Sequence, residues 1–226
     1  MKNIYKGMYS KDVLHLTLNP RIKSMLAMID SLRLRNKNIL DIGCYDGTLL
    51  GQIKNKKNNF YGVEASDYGV RECKKKGIKT KSFFCDDKTR LPFEDNFFDL
   101  VVCGEIIEHV YDTDFFLDNI SKVLKMNGKL ILSTPNIASL GRRIMLLMGI
   151  NPIIEVSPNK PESSGHIRYF TFETIQELLV ERGFVIEKIK SDVVNFSASG
   201  KANVKFIAKI FPRLGQSIII LARKNN

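Results

Sequence analysis

Residues 98–105 read FDLVVCGE: apolar at successive positions, not alternate ones, and β-branched at the centre. A strand of this kind hides both of its faces, and sheets hidden on both faces are parallel ones covered by helices. The rest of the chain supplies matching parts. Strand patterns lie at Asn38-Ile39-Leu40, 60–66, 81–87, 129–136, in FVIEKIKS after Gly183, and at 216–224. Between them run helical patterns. Residues 20–33 carry apolar side chains at helical spacing with Pro20 suited to a first turn. VRECKKKG closes on Gly77 as a cap, and DTDFFLDNISKVLKMNG starts at Asp112 or Thr113 and stops at Asn127-Gly128. Residues 171–183 start at Thr171, with Thr174 as the alternative cap. Strands alternating with helices predict an α/β fold, a doubly wound and mostly parallel seven-stranded sheet with helices on both faces. Only residues 200–214 are available as a last crossover, and Pro212 shortens them, so one strand near that edge is expected to run antiparallel. A single domain over 1–226 is expected, with residues 137–168 as an insertion covering the substrate.

The composition sets outer bounds. Of 226 residues, 44% are hydrophobic and 26% charged, enough apolar material for a core. No apolar stretch reaches the roughly 18 residues that a membrane span needs, and the first residues lack a signal peptide's apolar middle. A cytoplasmic protein is the expectation. Cys44, Cys73, Cys85 and Cys103 form neither a CxxC pair nor a zinc-type cluster. They read as reduced thiols, Cys85 and Cys103 as small core residues. The formal charge of +11 favours anionic partners, although a lysine- and asparagine-rich composition accounts for it equally.

Residues 40–50, LDIGCYDGTLL, end a strand on an acid and two spaced glycines. In a doubly wound sheet that is where ligands bind, glycines allowing tight turns and close backbone approach. A following helix start offers free N–H groups. The dinucleotide pattern G-x-G-x-x-G is absent, as is the Gly-Lys-Ser/Thr ending of a P-loop. The stretch instead resembles the first motif of the class I S-adenosylmethionine-dependent methyltransferases, D/E-x-G-x-G-x-G, with Tyr45 replacing the middle glycine. Glu64, Asp86, LPFEDNFFDLVVCGEIIEHV and LKMNGKLILSTPN resemble later segments of that family, so that the likeness spans roughly residues 35–190. It implies S-adenosylmethionine as cofactor, bound by Asp41, Gly43, Cys44, Tyr45, Gly47, Glu64, Asp86, Asp87, Gly104 and Glu105. Glu64 would hold the ribose hydroxyls and Asp86 or Asp87 the adenine amine.

Methyl transfer from a sulfonium requires in-line alignment and, for a hydroxyl acceptor, a base or a metal. Glu105, Glu108 and His109 stand at i, i+3 and i+4 and would share one face of a helical turn. His166, one of only three histidines, opens HIRYFTFETIQELL. This set resembles the Glu-x-x-Glu-His turn of the ubiquinone-biosynthesis O-methyltransferases. It is similar too to that of the small-RNA 3′-terminal 2′-O-methyltransferases, in which a later histidine joins to bind a divalent metal. The likeness implies His109, Glu108 and His166 as catalytic groups, or Glu105, Glu108, His109 and His166 as ligands of Mg²⁺, Mn²⁺ or Zn²⁺. Structural roles for both histidines stay open.

The favoured acceptor is an oxygen of a small molecule, glycan or lipid-linked precursor. An RNA 2′-O-methyltransferase with a divalent metal is one alternative, a non-catalytic cofactor-binding protein another. No RRM, KH or dsRBD signature supports nucleic acid. SLGRRIMLLMGI suits either an apolar acceptor or plain core. Lys201, Lys205, Lys209 and Arg213 alternate with Val204, Ile207, Ile210, Phe211 and Leu214, which suits peripheral membrane contact or a solvated basic face. IYKGMYS near the start is a candidate lid over the cofactor.

Overall fold

The computed structural model of the chain describes residues 18–54, 57–85, 88–153, 165–195 and 203–225. The expected lid and the adenine-side acids Asp86 and Asp87 lie outside the described residues, as do residues 154–164 of the insertion.

Seven strands form the main sheet: β1 (Asn38–Ile42), β2 (Asn59–Glu64), β3 (Lys79–Ser82), β4 (Phe98–Gly104), β5 (Leu124–Pro135), β6 (Phe184–Lys190) and β9 (Ser217–Lys224). Their order is β3-β2-β1-β4-β5-β9-β6. The pairs among β1 to β5 are parallel, and β9 runs antiparallel to both β5 and β6. The expected antiparallel strand is therefore present, one place inside the edge. A two-stranded ribbon, β7 (Val194–Asn195) with β8 (Asn203–Val204), stands apart.

Alternate residues of each central strand feed two cores. Leu40, Ile42, Val101, Cys103, Leu130 and Leu132 point to one face, where α4 (Thr113–Val123) and α6 (Phe172–Glu181) cover them. Ile39, Leu100, Val102 and Ile131 point to the other, against α1 (Pro20–Ser31), α2 (Thr48–Gly51) and α3 (Asp67–Lys75). This period of two, with both faces buried through the centre of the sheet, is what a doubly covered parallel sheet demands. Caps fix the helices. The Asn19 side chain accepts from Ile22 N, with Pro20 in the first turn. Asp112 caps α4, and Thr171 and Thr174 exchange bonds in a capping box rather than competing.

Three expectations need correction. The third strand covers Lys79–Ser82, not 81–87. As an edge strand it pairs only with β2, and the apolar residues Phe83 and Cys85 leave the ladder to pack on the core, Cys85 only partly buried. The helix expected to stop at Asn127-Gly128 ends at Val123. Leu124 is already extended and pairs with Phe98, and Asn127, at φ +59°, makes a left-handed turn within β5. Plain core is the wrong reading for the Met-rich piece: α5 (Leu140–Leu147) has no buried residue, and Leu146, Leu147 and Met148 are exposed.

Candidate functional site

The order of the sheet reverses at β1, whose neighbours β2 and β4 lead away on opposite sides. In such sheets ligands bind beyond the carboxyl ends of the strands at this reversal, here those of β1 and β4. The loop after β1 is left-handed at alternate residues: Gly43 at φ +72°, Tyr45 at +44° and Gly47 at +75°. Tyr45 thus adopts the conformation that glycine takes more readily, and the motif's backbone path survives its replacement. Gly43 also admits Ile106, whose side chain occupies the space a Cβ would need.

Glu64, at the end of β2, holds this loop. Its Oε2 accepts from Tyr45 N at 3.0 Å and its Oε1 from Ser66 N at 2.8 Å. Each carboxylate oxygen accepts more than one bond, so both retain capacity for a ligand's hydroxyls. Gly69, in the first turn of α3, lets this happen: a Cβ there would lie 2.7 Å from Glu64 Cγ and 2.6 Å from the Tyr45 carbonyl. Asp46 caps the turn into α2 by accepting from Thr48 N and Oγ1, and Lys76 bonds its carbonyl. Cys44 turns its thiol away from the strand ends, into the core and 3.4 Å from that of Cys73. Its place in the site is its backbone N–H, given to Val63 O together with that of Gly43.

By the pleat of β1, Asp41 shares the α1 face with Ile39. Burial, then the charge of Glu64, lifts its carboxyl to about 8, against a smaller pull from Arg21. Its burial therefore favours the protonated form over the anion towards neutral pH. Arg21 comes from the first turn of α1. It gives Ser133 Oγ a 3.1 Å bond, lies 3.7 Å from Glu105, and passes over Gly104, where a Cβ would meet it at 3.0 Å. The sequence reading missed Arg21 and Gly69. The signal for Arg21 is electrostatic, because a cation in a helix's first turn opposes the dipole and needs a local reason.

The expected tetrad divides across the sheet. A 3₁₀ turn, Ile107–His109, follows β4 in place of an α-turn. Glu105, left-handed at φ +59°, bonds its N–H to Ser133 O and stays on the α1 face. Glu108 accepts from Thr134 Oγ1 at 3.0 Å on the opposite face. Adjacent residues of β5 thus hold the two carboxylates apart. Glu108, His109 and His166 do meet, with ligand atoms all within 4.8 Å of one another. The two imidazoles stand edge to face at 4.8 Å between centroids. His109 Nδ1 lies 3.1 Å from the Gly165 carbonyl, which can only accept, so Nδ1 carries the proton and Nε2 is the basic nitrogen. The N–H groups of Ile167 and Arg168 both bond the Glu108 carbonyl, and Arg168 reaches Tyr111 O at 2.6 Å, fastening His166 beside the turn. Glu108 is 1% exposed, and among the described residues its Oε1 has no hydrogen-bond partner, with His166 Nε2 at 3.8 Å. Burial, then Glu105, pushes its carboxyl well above the usual range; Glu105 itself is raised by burial against the pull of Arg21.

Residues 40–132 match the methyltransferase domain family. The chain is 32% identical over 128 residues to the ubiquinone biosynthesis O-methyltransferase of Pelagibacter ubique, an alignment covering 55% of this chain and 52% of that one. It is 26% identical over 197 residues to the mitochondrial enzyme of that name from Schizosaccharomyces pombe, covering 81% and 68%. The chain spans about half the length of the first of these relatives. A solved S-adenosylmethionine-dependent methyltransferase from Thermotoga maritima superposes with TM-score 0.63 at 20% identity, over 91% of this chain and 89% of that one. The [4+2]-cyclase SpnF superposes with TM-score 0.61 at 19% identity, over 91% and 81%. Residues 40–132 thus match a methyltransferase domain, and the fold is the one shared by solved S-adenosylmethionine-dependent methyltransferases. The cyclase shows that this fold carries other chemistry too, which leaves the reaction to be argued from the site.

Proposed function

We propose that the protein transfers the methyl group of S-adenosylmethionine to a hydroxyl oxygen of a small molecule, glycan or lipid-linked precursor, in the cytoplasm. One observation carries the reading: a cluster of titratable side chains, Glu108, His109 and His166, stands at the same sheet edge as the left-handed loop and Glu64, on the opposite face. The relatives named as O-methyltransferases favour oxygen. They do not favour an RNA acceptor or a non-catalytic role.

In this reading Glu64 accepts from the ribose hydroxyls, and Arg21 faces the carboxylate of the cofactor's methionine part. The sulfonium carries its own activation, so the chain's task is alignment and removal of one proton. The acceptor's hydroxyl gives that proton to His109 Nε2 as its oxygen attacks the methyl carbon and the carbon–sulfur bond breaks. Glu108 and His166 steady the imidazolium that forms. The exposed apolar residues of α5 and the insertion after β5 cover the acceptor.

A second reading rests on the orphaned Glu108 Oε1. Two imidazoles and one carboxylate form a donor set that suits Mn²⁺ or Zn²⁺ and matches the oxygen-seeking Mg²⁺ poorly, since Glu105 lies outside it. A cation held by Glu108, His109 and His166 would lower the pKa of the acceptor's hydroxyl.

Calorimetry tests the cofactor assignment. Glu64→Ala and Arg21→Ala should each weaken S-adenosylmethionine binding by about tenfold or more, as loss of a charge-assisted contact implies. Unchanged affinity in both defeats it. Turnover unaffected by verified metal removal defeats the second reading alone.

A further inference from the structure

Between α1, the end of β6 and α7 (Lys205–Ile210) lies a groove of about 530 Å³. Lys23 enters it from α1, Lys188 and Lys190 from β6, and Lys205 and Lys209 from α7. These five cations come from three separate elements, and among the described residues none has an ion-pair partner. The one acid in the lining, Asp192, offsets at most one of the five and forms no ion pair with them among the described residues. Its carboxylate accepts from Val193 N, Ser217 N and Ser217 Oγ. The ammonium of Lys190 is disfavoured by burial and by Lys188 and Lys209, as expected of cations gathered without a counter-ion.

The outer side of α7 has the opposite character. Ala208 faces inward at 2% exposure, while Phe206 is 70%, Ile210 53% and Phe211 58% exposed. Phe206 and Ile210 are four apart and share one helical face; Lys205 and Lys209, also four apart, share the neighbouring one. Bulky apolar side chains set beside a pocket of unpaired cations complement a surface that is greasy inside and anionic outside.

We propose that this face docks on an anionic phospholipid membrane, with Phe206, Ile210 and Phe211 entering the acyl boundary and the five lysines taking headgroup phosphates. Phe206, Ile210 and Phe211 are exposed together beside the cations, which matches an acyl boundary under anionic headgroups, whereas a duplex backbone would use the cations alone. The groove borders the site: Asp192, at its floor, is among the charges that act on Glu105. A docked enzyme would therefore meet an acceptor held at the bilayer. The inference deepens the lipid-linked reading of the acceptor and rests on it for its purpose, but the two fail separately, since vesicle binding needs no cofactor and cofactor binding no vesicle.

Flotation with vesicles of phosphatidylcholine alone, and of phosphatidylcholine with phosphatidylglycerol, tests it. The protein should float with the anionic vesicles, and salt should release it. Lys205→Glu with Lys209→Glu should cut partitioning by about tenfold or more at one ionic strength, two lost attractions becoming two repulsions. Phe206→Ser with Phe211→Ser should cut it by about tenfold at unchanged charge. Both variants should bind S-adenosylmethionine as the parent does, which shows that they fold. Equal flotation with both vesicle types, or none, overturns the proposal, as does parental behaviour of either variant. Release by millimolar inorganic phosphate at constant ionic strength would make the groove a free-anion site, and preferential capture by duplex RNA would make it a nucleic-acid one; either result also overturns docking on lipid.

Discussion

The two faces of the sheet meet its carboxyl edge in contrasting ways. On the α1 and α3 face, polar groups are tied down: Glu64 by two backbone N–H groups, Asp46 by Thr48, Arg21 by Ser133. On the α4 and α6 face, Glu108 keeps a buried oxygen without a hydrogen-bond partner among the described residues, beside two histidines. A satisfied network holds one geometry, whereas an unsatisfied buried group is costly and persists where something else requires it. In the proposed reading the first face holds the cofactor in one geometry and the second moves a proton.

The largest effect that separates the faces is on rate. His109→Asn keeps a donor for the Gly165 carbonyl but removes the base, and should lower turnover about 10²- to 10⁴-fold while calorimetric cofactor affinity stays near parental. Turnover near parental would erase the contrast. On the other face, Gly69→Ala pushes a methyl group into Glu64 and the Tyr45 carbonyl. It should cost about 1–3 kcal/mol of stability by overpacking and raise the cofactor's dissociation constant, both read against denaturant and in calorimetry. Parental values for both would mean that the loop is not held as described.

The subtlest test is of pH. The Asp41 carboxyl is raised to about 8 in the folded protein, above its unfolded value near 3.8. Its contribution is fully present below about pH 4 and is lost as pH rises towards 8, because only the unfolded chain releases the proton in that window. Glu105 and Glu108, also raised, act in the same direction. Asp41→Asn should remove the Asp41 share, at most about 1.4 kcal/mol per pH unit, flattening urea midpoints between pH 5 and pH 8. An unaltered slope would mean that Asp41 is ionised in the fold.

What was legible in the sequence follows from which interactions are local. β1 and β4 announce themselves because both faces are buried, so nearly every side chain carries the message. Pro20 in the first turn of α1, the caps at Asp112 and Thr171 and the left-handed Gly77 are settled within a few residues. β3 was misplaced because an edge strand needs only one ladder, and its neighbouring Phe83 is apolar for the core's sake rather than the strand's. Asn127-Gly128 reads equally as a helix stop and as a turn, and only the pairing of Leu124 with Phe98 decides. In the site, Glu64 and the Glu108–His109–His166 set were visible as residue types. That Glu105 parts from Glu108 was not: it depends on Ser133 and Thr134 pointing oppositely, a fact of sheet register.

The inserted position of β9 has a consequence for how the molecule comes into being. β6 is joined to the sheet solely through a strand made some thirty residues later. On a ribosome delivering the chain from its amino end, the first five strands have their partners as they emerge. β6 and the helix before it must wait, half-assembled, until residues 217–224 leave the exit tunnel and slot between two strands already made.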